Sequence, residues 1–217
     1  MTKKNLLALL LTIALLFSLF PIGNNAQAQA MEGTSTTCIS PKMVDLKFAM
    51  QKAWIDHTIW TRSYIVSAIS NLPDQKYVLE RLLQNQQEIG DLIKPFYGEA
   101  AGQKLTELLK EHIMIAGQIV EAAKANNEQS VKKLNKEWHR NADDIAKFLS
   151  DANPNCQFKA FQDMLYYHLK LINVIVVSCL KGDWKADIAA TDANEIHMIH
   201  FADLLTEGIV KQFPEKF

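Results

Sequence analysis

From residue 41 onward, apolar residues recur at spacings of three and four with no sustained alternation, the period of a helix with one buried face. The pattern breaks where Asn, Pro and Gly collect. Asn71-Leu72-Pro73-Asp74 reads as a turn ending in a helix N-cap, and Pro95 with Gly98 as the stop of a second helix. Ala152-Asn153-Pro154-Asn155 marks another break, and Lys181-Gly182-Asp183 closes one helix and caps the next. These signals predict six helices, at residues 41–70, 74–95, 100–125, 128–151, 157–180 and 183–212. The expected fold is all-α: an up-down six-helix bundle of three helical hairpins.

Residues 1–30 follow another rule. Lys3 and Lys4 precede the apolar run Leu6–Phe20, then come Pro21 and a polar stretch ending AQAQA, the three parts of a secretory signal. The run has 15 residues, short of the ~20 that a membrane span needs. The reading is a signal peptide over 1–30, a flexible segment over 31–40 and a bundle domain over 41–217. The product is expected to be secreted or associated with the cell envelope, without a transmembrane segment after cleavage. With Lys3 and Lys4 removed, 21 basic residues face 24 acidic ones, a balance that argues against nucleic acid as a partner. Export permits a disulfide, and up-down topology places Cys38 and Cys156 at one end of the bundle, leaving Cys179 as a buried thiol.

The hairpins share a pattern. His57, His112 and His168 stand 55 and 56 residues apart, each followed at three, seven and eight positions by an apolar or aromatic residue. Asn85, Asn141 and Asn194 recur in the second helix of each hairpin, and three positions later stand Glu88, Asp144 and His197. This is the signature of an internal repeat. Each histidine lies on a buried stripe, and counting from the turns at about 1.5 Å per residue sets all six groups at one height.

Imidazoles with carboxylates at one level suit a transition metal (Zn, Fe, Mn, Ni or Cu) better than Ca or Mg. If the hairpins close around a pseudo-threefold axis, His57, His112 and His168 converge as a three-histidine set. Glu88, Asp144 and His197 would then be further ligands, with Asn85, Asn141 and Asn194 hydrogen-bonding behind them. The alternative is a structural layer of His–carboxylate pairs in an envelope-associated domain that binds a partner at its surface. Asn in mid-helix is unfavourable by propensity, so each of the three is expected to serve through its side chain, either behind a ligand or as inter-helix glue. Arg62 reads as an anion contact or an inter-helix ion pair. His139 and His200 read as surface residues, with ligation by His200 the less favoured option.

The segments DHTIWTRSYI, LLQNQQEIGDLIKPFYGEAAGQKLTELLKEHI, WHRNADDIAKFLSDANP, HMIHFADLL and GIVKQFPEKF resemble a small bacterial all-helical family, over most of residues 50–217. Members carry the labels acetylglutamate kinase or glycosyltransferase. The chain has no G-x-x-x-x-G-K-[ST] loop, no G-x-S-x-G and no H-E-x-x-H. The resemblance therefore implies an all-helical domain and no particular reaction.

Overall fold

The computed structural model describes residues 39–217. The signal peptide over 1–30, most of the 31–40 segment and Cys38 lie outside the described residues. Six helices follow in order: α1 (Pro41–Ile69), α2 (Gln75–Tyr97), α3 (Glu99–Lys124), α4 (Glu128–Ala152), α5 (Phe158–Lys181) and α6 (Trp184–Gln212), with a closing 3-10 turn at Pro214–Lys216. No strand occurs among the described residues. Three helix starts are capped by side chains, that of α6 by the Asp183 the sequence suggests. Ser40 Oγ accepts from Met43 N with Pro41 in the first turn, Asn127 accepts from Ser130 N, and Asp183 from Ala186 N. Asp74 occupies the N-cap position of α2 but makes no side-chain cap bond.

One boundary differs. α2 runs through Pro95 to Tyr97 instead of stopping at the proline. So close to the helix end, Pro95 forfeits a single backbone bond. Its own carbonyl, left without a helical donor, accepts from Lys216 Nζ at 2.6 Å. Gly98, at φ 86°, is what turns the chain.

Consecutive helices pack side by side, and α6 packs on α1 as extensively as α2 does, so the hairpins close into a ring. α1 also touches α3 and α5 across the interior. Every helix feeds one core, from Leu46 and Met50 through Leu82, Leu105, Ile145 and Leu169 to Phe201 and Ile209. Each such side chain stabilises the fold by roughly 1.5–3 kcal/mol relative to exposure. Cys38–Phe217 forms one compact unit. Its ring is closed and one hydrophobic core runs through all six helices.

Two contacts fix helix positions. α2 and α3 approach backbone to backbone at Gly90 and Gly102, where a Cβ on Gly90 would stand 2.0 Å from Thr106 Oγ1 and 2.6 Å from the Gly102 carbonyl. Gly90→Val is expected to destabilise the domain by about 1–3 kcal/mol or more by forcing the helices apart. Urea unfolding reads this directly, and an unchanged midpoint would show that the two helices do not cross so closely. The second contact joins α6 to α1. Arg62 Nε donates to Asp187 Oδ1 at 3.1 Å and Nη2 donates to Oδ2, while Asp187 is 0 % exposed.

Candidate functional site: a buried His–Asn layer

The hairpin geometry brings His57, His112 and His168 together. They are 2 %, 3 % and 3 % exposed. The ring of His168 lies 5.5 Å from that of His57 and 6.0 Å from that of His112, centroid to centroid. Trp54 flanks His57 at 5.5 Å and Trp138 flanks His112 at 5.1 Å.

Each histidine is held from the second helix of its own hairpin. His112 Nδ1 lies 2.8 Å from Asn141 Oδ1, and Asn141 Nδ2 donates to the Leu108 carbonyl at 3.0 Å. Because the carbonyl contact fixes which amide atom is nitrogen, the atom facing His112 is oxygen, and the imidazole carries its proton on Nδ1. His168 Nδ1 lies 2.7 Å from Asn194 Oδ1, without the carbonyl contact that fixes the amide of Asn141. The first hairpin varies the theme. Asn85 Nδ2 still donates to the Ala53 carbonyl at 2.9 Å, but Gln86 Nε2 stands between, 3.1 Å from Asn85 Oδ1 and 3.3 Å from His57 Nδ1. Gln86 Nε2 also stands 2.8 Å from the Leu82 carbonyl, so its two N–H groups serve that oxygen and Asn85 Oδ1, and neither is left to fix the tautomer of His57.

Burial is the main force on these rings. It lowers the pKa of His57 to about 3, helped by nearby His112 and opposed by the Gln86 hydrogen bond. It lowers His112 to about 4 against the pull of Asn141 and Glu111. His168 falls well below the ordinary range through burial and its two imidazole neighbours. All three are therefore neutral at pH 7.

The other three groups of the expected six-residue layer stand elsewhere. Glu88 is on the outside, accepting from Arg81 Nη1 and Gln84 Nε2, both at 3.2 Å. Asp144 pairs with Arg140, which also bonds Glu111. The cause is helical geometry. A step of three from the buried asparagine turns about 300°, which carries the acid to the flank of the helix. There an arginine one or two turns earlier claims it. His197, half-buried, donates from Nε2 to the Met164 carbonyl at 2.8 Å. Ala53, Leu108 and Met164 each lie four residues before their hairpin's histidine. His197 thus takes the carbonyl that asparagine takes in the other hairpins, and Asn194 Nδ2 is left without a partner among the described residues. The layer is three histidines and three asparagines, with Gln86 as a seventh member.

Among the described residues, no group of three His, Cys, Asp or Glu side chains is arranged to hold a metal ion. His200 is exposed. His139 is half-buried, its Nδ1 2.7 Å from the Asn135 carbonyl and its ring edge-on to Tyr166. Cys156 and Cys179 are buried, and the suggested pairing of Cys156 involves Cys38, outside the described residues. Gln86 carried no repeat signal, since Ala142 and Glu195 follow the other two asparagines. Asp187 did carry one: it shares a helical stripe with Ala190, Asn194 and Met198, an acid in an apolar row. The arrangement defines an all-helical ring of three hairpins with an uncharged polar layer at its centre. No protein-family model, curated protein or solved structure matches the chain.

Proposed function

We propose that this protein is a non-catalytic helical domain of the cell envelope, whose His–Asn layer sets the register of the hairpins and whose exterior binds its partner. The observation that carries this reading is that every histidine of the layer is engaged at Nδ1 from within its own hairpin. A buried polar layer in which most members are paired rewards one alignment of the helices and penalises a slipped one, which would leave further buried donors and acceptors unpaired beyond Gln86 Oε1 and Asn194 Nδ2.

One observation favours a second reading, a transition-metal site for Zn, Fe, Mn, Ni or Cu. Protonation of His112 at Nδ1 leaves its Nε2 lone pair available, as in imidazoles that ligate metals, and the ring of His168 lies beside it. Elemental analysis and thermal unfolding, with and without chelator, separate the two readings. For a structural layer, the melting temperature is expected to be indifferent to chelator and to added Zn or Ni. Near-stoichiometric metal, with a rise in melting temperature of several degrees that His112→Gln/His168→Gln abolishes, would reverse the order of the readings.

A further inference from the structure

The exterior of the ring is lopsided. Its exposed large apolar side chains cluster on α5, α6 and α1, which are neighbours. α2 and α3 contribute Tyr77 and Met114, and α4 contributes none among the described residues. The cluster is densest where α5 turns into α6 through Gly182, at φ 68°. Val177 is 47 % exposed there, Trp184 53 % and Ile188 54 %, with Val174 and Leu180 beside them at 40 % each.

Three exposed lysines, Lys170, Lys181 and Lys185, flank these residues. None of them joins a salt bridge among the described residues. The nearby acids are mostly engaged. Asp183 caps α6 by accepting from Ala186 N, and Asp187 is turned inward to Arg62, which leaves Asp192 exposed one turn beyond Ile188. A depression of about 420 Å³ between α4 and α5 is lined by His139, Lys170, Val174 and Val177, and it adjoins at His139 a second one on α4 that carries Lys132, Lys136 and Asp143.

We infer that the α5–α6 corner docks this protein on an anionic lipid membrane, with Trp184 and its aliphatic neighbours at the acyl boundary and the lysines among the headgroups. The inference names the partner for the exterior reading above and rests on it. Composition supports a surface helix rather than a spanning one. An 18-residue window of α5 has a mean hydropathy of 1.3, yet half of it is buried in the core, so only one apolar face is free. Aliphatic side chains with Trp, ringed by lysines whose stems reach toward phosphate, are the interfacial pattern. A second copy as occupant is one of the outcomes of the test below.

The test uses residues 39–217, the ring whose six helices share one core. Sedimentation with vesicles of phosphatidylglycerol and phosphatidylcholine is expected to bring the protein down, and with phosphatidylcholine alone far less. Lys170→Glu/Lys181→Glu/Lys185→Glu should weaken binding about tenfold or more, with the circular dichroism spectrum unchanged. In a Trp60→Phe background, which removes the half-buried Trp60, brominated phosphatidylglycerol should quench tryptophan emission and should not once Trp184→Phe is added, because Trp54 and Trp138 are only 2 % exposed. Binding indifferent to lipid charge, quenching that survives Trp184→Phe, or a concentration-dependent dimer that shields Trp184 would each overturn the proposal. The structural reading of the layer is decided separately, by the metal and melting measurements, so failure of one is not mistaken for failure of the other.

Discussion

At pH 5 the domain is expected to be several kcal/mol less stable than at pH 7, and to unfold before pH 4. In the unfolded chain His57, His112 and His168 titrate near 6.5. In the fold His57 and His112 do so only at about 3 and about 4, and His168 well below its ordinary range. Between those values the unfolded chain holds protons that the folded one refuses. Stability is therefore full above 6.5 and drains as pH falls through the window, levelling off only near the folded-state values. By pH 5 His57 and His112 cost about 2 kcal/mol each, roughly 4 together, and His168 adds in the same direction, against a typical total of 5–15 kcal/mol. Urea unfolding at pH 7 and pH 5 measures the difference. His112→Gln should retain about two-thirds of the pH dependence, because one of three proton-refusing groups is gone. Coincident midpoints at the two pH values would mean that the imidazoles are not buried in neutral form.

Arg62→Leu is expected to cost about 3–5 kcal/mol, because it strands a carboxylate with no access to water. Asp187 is 0 % exposed and is bonded through both oxygens to the guanidinium. Exposed pairs of the same chain, such as Lys76–Glu80 and Lys133–Glu137, hold one turn of one helix and are worth about 0.3–0.5 kcal/mol. The buried pair joins α6 to α1 and so closes the ring. At about 2–4 °C per kcal/mol for a domain of this size, the melting temperature should fall by roughly 10 °C. Arg62→Leu/Asp187→Leu should recover much of the loss, since an apolar pair needs no counter-charge. A single variant within 1 kcal/mol of the parent would show that the carboxylate finds water after all.

Sequence pattern and structure agree where periodicity alone decides the matter. Six helices appear within a few residues of the spans that the Asn, Pro and Gly breaks predict, and the stripe carrying His57, His112 and His168 does face the centre. Agreement ends where a decision depends on the neighbouring helix. Glu88 and Asp144 share the repeat with the histidines, but their partners are Arg81 and Arg140 on their own helices, and one-dimensional spacing cannot weigh a flank against a core. Asn141 reads either as support behind a ligand or as inter-helix glue, and it joins α4 to α3 through His112 and the Leu108 carbonyl. Gly90 and Gly102 read as ordinary helical glycines until α2 and α3 are laid together. The expectation over Cys38 and Cys156 extends beyond the described residues.

The closure of α6 on α1 also bears on the order of the chain. Lys42 Nζ donates to the Lys216 carbonyl at 3.2 Å, so the beginning of α1 and the end of the chain lie side by side. The bend at Gly98, the link between α4 and α5, and this gap are then three comparable joints around a circle. Nothing in the packing singles out one of them as the place where a polypeptide must begin. A circular permutant opened at Gly98 and joined across the Lys216–Lys42 gap would bury the same core, so the hairpins' sequential order is an accident of the gene rather than a demand of the ring.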